Sequence, residues 1–160
     1  MAQSVYLAAP FFSIEQVNRL TTVLDALKSN QTIGDIYVPI ENQQEDIYKK
    51  YGTLEDAMKQ LEWQQATYRG DLNALNGSDV VVAIMDYEGH GMDDGTAFEV
   101  GYASAIHKPV FLIDFNSEHG PLNLMLAQAY TGYFKGEDIR DLRWYDFINK
   151  PQKNTDREVF

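Results

Sequence analysis

The chain has 160 residues, 44% of them hydrophobic and 12% aromatic, enough to bury the core of one globular domain spanning residues 1–160. It has no cysteine, and its three histidines, His90, His107 and His119, lack metal-ligand spacing, which excludes disulfides and thiolate sites and argues against a bound metal. The net charge of −11, from 24 acids against 13 bases, opposes binding to nucleic acid or anionic membranes but leaves neutral ligands unpenalised.

The opening segment MAQSVYLAAPFF has no basic flank, and no stretch approaches the roughly 20 apolar residues of a membrane span, so a cytoplasmic protein is expected. The run SVYLAAPFF reads as a short buried strand closed by Pro10. A helix follows: Ser13 and Gln16 have capping-box spacing, Ile14, Val17, Leu20, Leu24 and Leu27 recur on one face, and Asn30 is the stop. Asp35 to Ile40 reads as a second strand, with Pro39 placing its end near a sheet edge or strand terminus, followed by a polar loop, ENQQED. From Thr53 one long helical pattern carries Leu54, Met58, Leu61, Tyr68, Leu72 and Leu75, with Asp71 at the border of that stripe and the cluster Asn76 to Asp79 as its end. Helical spacing also makes Trp63, Tyr68 and Tyr102 packing residues.

The run DVVVAIMD is almost continuously apolar, as expected of a strand in the middle of a parallel sheet covered on both faces. A helix from about Gly95 to His107, a buried strand KPVFLIDF, a helical stretch from Asn123 to Tyr130, a strand TGYF and a helical turn near Asp138 to Trp144 complete the chain. This alternation predicts an α/β fold with a doubly wound, mostly parallel five-stranded sheet and helices on both faces, a flavodoxin- or Rossmann-like three-layer sandwich. Ligands of such sheets bind beyond the C-terminal strand ends, a rim that gathers Tyr6, the ENQQ loop and the DDG turn after Met85. No G-x-G-x-x-G follows the first strand and no Walker lysine loop is present, so no nucleotide cofactor is expected.

The chemistry concentrates in DDGTAFEVGYA, residues 93–103. Gly95 permits a tight turn, Asp94 is a reasonable N-cap, and Glu99 falls about one turn into the helix, where the helix dipole favours an ionised carboxylate and hence a nucleophile. A glutamate between Phe98 and Val100 is costly if buried without purpose. From composition alone, Asp93, Asp94 and Glu99 read as acids favoured in a first helical turn ahead of an active site.

The segment resembles the D-x-G-T-A-F-E-x-G-Y-A signature of the nucleoside 2-deoxyribosyltransferase family. VYLAAPFF, YVPIENQ, ATYRGDLNAL and PLNLM resemble further family segments in order and spacing, so the likeness spans most of the chain up to about Phe134. It implies that Glu99 is the nucleophile, that Tyr6 orients or tunes it, and that Asp71 and Asp93 hold base and sugar. It further implies that Phe12 and Gln43 line the base pocket, and that Asn123, with Met125 in the same segment, binds substrate from a neighbouring subunit of a homo-oligomer, suspected to be a hexamer. The chain departs from the family pattern at its end, Glu158-Val159-Phe160, where some relatives carry tyrosine. Without the resemblance, Tyr6 reads as a core aromatic, Asp71 as a solvated acid, Gln43 as a loop amide, Asn123 as a helix cap, and His90 as a rim residue near ligand.

The activity so implied is exchange of free purine or pyrimidine bases on deoxynucleosides through a deoxyribosyl ester of Glu99, with the β configuration retained and Asp93 or Asp71 supplying the departing base with a proton. Two rivals share the fold: a deoxynucleoside 5′-monophosphate N-glycosidase, disfavoured because GHGMDDG and GPLNLM contain no arginine or lysine, and a non-catalytic nucleoside or nucleotide sensor.

Overall fold

The computed structural model describes residues 1–87, 91–116, 118 and 120–160. The chain begins with β1 (Gln3–Ala8), α1 (Ile14–Lys28) and β2 (Ile33–Tyr37). After a 3-10 turn over Pro39–Glu41 come α2 (Glu45–Tyr51), α3 (Leu54–Met58) and α4 (Leu61–Gly77). The second half runs through β3 (Val80–Met85), α5 (Asp94–Ala105), β4 (Val110–Asp114), α6 (Leu124–Ala129) and β5 (Gly132–Lys135) to a 3-10 stretch over Gly136–Arg143.

The strands form one sheet in the order β2-β1-β3-β4-β5, and every pairing is parallel. Strand parity divides the core between its two faces. Val5 and Leu7, Val80, Val82 and Ile84, and Phe111 and Ile113 face α1 and the C-terminal 3-10 stretch, meeting Leu20, Leu24, Leu27 and Leu142. Tyr6 and Ala8, Val81, Ala83 and Met85, and Val110 and Leu112 face the other way, against Leu75 of α4 and Val100 and Ala103 of α5. Every residue of β3 and β4 is buried, as their unbroken apolar runs require. The chain therefore folds as the expected doubly wound three-layer sandwich, and its order of strands reverses between β1 and β3, where such sheets open a crevice.

Several boundaries differ from the sequence expectation. The second strand starts two residues earlier and ends three residues earlier than Asp35 to Ile40, because Pro39 has no N–H for a ladder and instead opens the 3-10 turn. Part of the ENQQED loop is helical, with Glu45 and Asp46 in the favourable first turn of α2. The long helix from Thr53 is two helices, since Thr53 caps α3 and a second start at Gln60 opens α4. Its apolar stripe is largely uncovered: Leu75 is buried, but Met58, Leu61 and Tyr68 are exposed, and Tyr68 leans on exposed Phe98 rather than entering the core. Ile14 is likewise exposed at the start of α1, while the Ser13–Gln16 capping box forms as expected. No helix of the described residues is long and apolar enough to cross a membrane.

Candidate active site

Two tyrosines on neighbouring strands anchor the site. Tyr6 of β1 and Tyr37 of β2 are in register, and their rings stack 5.5 Å apart at an interplanar angle of 13°. Each hydroxyl donates to an acid on an overlying helix: Tyr6 Oη to Glu99 Oε1 of α5 at 2.5 Å, and Tyr37 Oη to Asp71 Oδ1 of α4 at 3.0 Å. Parallel strands thus present two parallel tyrosine–carboxylate pairs. Burial, reinforced by the neighbouring carboxylates, holds both phenols well above their ordinary range, so each keeps its proton and donates.

The electrostatics of Glu99 differ from the sequence expectation. Glu99 is the sixth residue of α5, beyond the first turn in which a helix dipole is effective, and that turn is occupied by Asp94. Burial pushes its carboxyl up to about 7; the Tyr6 hydrogen bond opposes that rise, and the charges of Asp71 and Asp93 add to it. Glu99 is therefore a desolvated carboxylate that tyrosine helps to ionise, not one kept ionised by a helix start. Asp71 is also raised, by burial against the opposing hydrogen bond from Tyr37.

The N-cap of α5 is Asp93 rather than Asp94: its Oδ2 accepts from Thr96 N at 3.1 Å. Its Oδ1 is buried and has no hydrogen-bond partner among the described residues. A single carboxylate thus fixes the helix with one oxygen and keeps the other buried in the wall of the site.

These groups surround a cavity of about 440 Å³, which Phe12, Gln43, Asp71, Asp93 and Glu99 all line. Tyr6 lies beneath it through its bond to Glu99. Asn123 and Met125 are not brought there. Asn123 caps α6, its Oδ1 accepting from Met125 N at 2.9 Å, and both residues line a separate groove between α5 and α6. His90 lies outside the described residues.

The sequence reading missed Tyr37, Thr67 and Trp63, of which Trp63 had been assigned to packing. Trp63, Thr67 and Asp71 recur at intervals of four on α4, so one helical face points into the cavity beside the apolar stripe. That spacing was available in the sequence. Trp63 Nε1 donates to Gln43 O at 3.0 Å and so ties α4 to the loop after β2, while Thr67 Oγ1 is buried without a partner among the described residues.

A doubly wound α/β protein with a desolvated carboxylate and two further acids lining a cavity at its sheet switch point has the features of an enzyme active site. Residues 5–128 match the family model described as nucleoside 2-deoxyribosyltransferase. The chain is 36% identical over 146 residues to a nucleoside deoxyribosyltransferase of Limosilactobacillus fermentum, covering 89% of this chain and 85% of the relative. It is 29% identical to one of Lactobacillus leichmannii, covering 94% of this chain and 92% of that one. Its fold is similar to the solved 2-deoxyribosyltransferase of Bacillus psychrosaccharolyticus, with a TM-score of 0.78, 28% identity, and coverage of 95% and 98% of the two chains. The chain belongs to the nucleoside 2-deoxyribosyltransferase family, and is an enzyme of the glycosyltransferase type.

Proposed function

We propose that the protein exchanges nucleobases on 2-deoxyribose by double displacement at Glu99. The observation that carries this reading is the Glu99 carboxylate, hydrogen-bonded by buried Tyr6 at 2.5 Å and lining a cavity beside two further acids. As the glycosidic bond loosens, positive charge develops on the sugar ring, and desolvated Glu99 stabilises it before its oxygen bonds to the anomeric carbon. The base leaves with the bonding electrons of the glycosidic bond and needs a proton or hydrogen bond, for which Asp71, raised by burial, is suited. A second base attacks the ester carbon from the opposite side and gives its ring N–H proton to Asp71, releasing the Glu99 carboxylate, so two inversions retain the β configuration.

Asp93 Oδ1, buried and without a partner among the described residues, offers an acceptor for a sugar hydroxyl. None of the described residues lining the cavity is lysine or arginine, which favours neutral nucleosides over phosphorylated ones. Asn123 and Met125 serve the site of a neighbouring subunit in a homo-oligomer; in support, Met125 is 76% exposed and lies near exposed Leu124 and Phe160. Phe160 is tied to that surface by paired backbone hydrogen bonds with Leu122 and Leu124.

Incubation of deoxyinosine with and without adenine tests the reaction: deoxyadenosine forms only with adenine present, and the Glu99 peptide gains one deoxyribosyl unit by mass spectrometry. Glu99→Ala retains the fold and slows exchange by roughly 10³-fold or more. Exchange at near the parent rate in that variant removes the nucleophile assignment.

A further inference from the structure

β4 is apolar up to its last residue, Asp114, whose side chain is fully shielded from solvent. The exchange chemistry makes no use of this acid. A carboxylate so placed is tolerable only when it is paired and its lone pairs are filled, and three donors converge on it. Oδ1 accepts from the backbone N–H of Asn116 at 2.7 Å, and Oδ2 accepts from the Tyr133 hydroxyl of β5 and from Nη1 of Arg157. The Arg157 side chain is itself only 7% exposed, and its Nε donates to Gly120 O at 2.7 Å. One guanidinium thus joins the end of β4 to the loop that leads into α6.

A short ladder adjoins this clasp. Leu122 N–H donates to Glu158 O at 2.6 Å, Phe160 N–H to Leu122 O at 3.2 Å, and Leu124 N–H to Phe160 O at 3.0 Å, with Leu122 and Val159 paired in parallel. These bonds bracket Asn123 on both sides. The register of a ladder is ordinarily specified by a buried apolar face, but Glu158, Val159 and Phe160 are all exposed, and α6 contributes no buried residue of its own. The adjoining Arg157 supplies the constraint that these side chains lack, because its rigid fork spans Asp114 and Gly120 together. A buried ion pair adds little net stability over an apolar pair, and fixing register is the use that suits it. On the reading of Asn123 as a residue that serves a neighbouring subunit's site, we infer that Arg157 is a positioning residue: clasped to Asp114, it sets the register of residues 158–160 and so holds Asn123 where that neighbouring site needs it. The clasp acts on the site of another chain, not on the cavity beside its own Glu99.

Two variants open the clasp from opposite sides. Arg157→Ala removes the fork. Asp114→Asn keeps an oxygen for Asn116 N–H and leaves no buried acid unpaired, so it decides the matter where the alanine protein does not fold. In either variant kcat/KM for base exchange falls about tenfold, chiefly through KM, because a substrate contact is displaced while Glu99 is untouched. After subunit exchange with Glu99→Ala, either variant regains activity, about a quarter of sites being complete in random assembly. Mixed with Asn123→Ala it regains none, since no chain then presents an intact Asn123 edge. Any other pattern of recovery, or activity at the parent level, overturns the inference. Glu99→Ala mixed with Asn123→Ala is the control: if it does not recover although mass shows that subunits exchanged, or if the parent exchanges no bases, the earlier reading fails instead. Amide hydrogen exchange then decides the inference. Exchange at Leu122, Leu124 and Phe160 at least tenfold faster than in the parent, with β3 unchanged, upholds it; unchanged or uniformly faster exchange overturns it.

Discussion

At the scale of single residues, Glu99 shows how burial and one hydrogen bond set a reactive group. Its carboxyl rises from an ordinary 4.5 to about 7, a penalty on the order of 3 kcal/mol for the charged form. The folded protein therefore holds this proton more tightly than the unfolded chain. Between about pH 4.5 and 7 stability falls as pH rises, and above that window the full cost of ionised Glu99 remains. Glu99→Gln, which carries no charge, is accordingly more stable than the parent above pH 7 by roughly 1–3 kcal/mol and similar to it near pH 4, as urea unfolding at the two pH values will show. On the proposed mechanism activity has the opposite sign, because attack by Glu99 needs the carboxylate: kcat/KM rises through an acid limb centred near 7. Tyr6→Phe removes the one hydrogen bond that lowers this value, so the limb moves to higher pH. A limb that stays in place in the Phe variant separates Tyr6 from the ionisation of Glu99.

Asp93 carries two duties on two oxygens, and substitution can separate them. Asparagine is as good an N-cap as aspartate, so Asp93→Asn keeps the start of α5 and loses the charge presented to the cavity. Thermal unfolding should change little, by less than about 0.5 kcal/mol, while exchange activity falls at least tenfold. Asp93→Ala loses both, at an added stability cost of about 1 kcal/mol. Equal activity in the Asn variant and the parent would leave Asp93 with capping alone.

At the scale of elements, the parts most legible in the sequence were those whose pattern answers to one physical demand. β3 and β4 are buried on both faces and read as unbroken apolar runs, and α1 opens with a capping box written in four residues. The segment from Thr53 to Gly77 was harder, because its apolar residues do not all face a core. Leu54 and Met58 line the cavity, Leu61 and Tyr68 are exposed, and Leu75 alone among the stripe is fully buried. Periodicity reports that a face is apolar, not what covers it. The break between α3 and α4 follows from the cap at Thr53 and a fresh start after Lys59, a local choice that the continuous stripe concealed.

At the scale of the whole molecule, Asn123 and Met125 sit in a groove apart from the Glu99 cavity. If each site takes these residues from a neighbouring subunit, inactive variants will complement one another. Glu99→Ala and Asn123→Ala proteins, each impaired alone, regain activity after being mixed and allowed to exchange subunits, because some sites then combine intact Glu99 with an intact neighbouring Asn123. For random assembly about a quarter of sites are of that kind. No recovery in mixed assemblies whose subunit exchange is verified by mass would confine the site to one chain.

The sequence by itself determined the order of strands and helices, the two-faced burial of the central strands, and the segment around Glu99 whose likeness marks the family. These follow from local pattern, since hydrophobic period, caps and a contiguous motif are each written within a few neighbouring residues. Only the tertiary structure decided the ionisation of Glu99, the pairing of Tyr37 with Asp71, and the tie of Trp63 to the backbone of Gln43. Each depends on groups distant in the chain, Tyr6 being 93 residues from Glu99 and Trp63 being 20 from Gln43. Desolvation and hydrogen-bond partnership are properties of the assembled crevice, and no short window of sequence contains them.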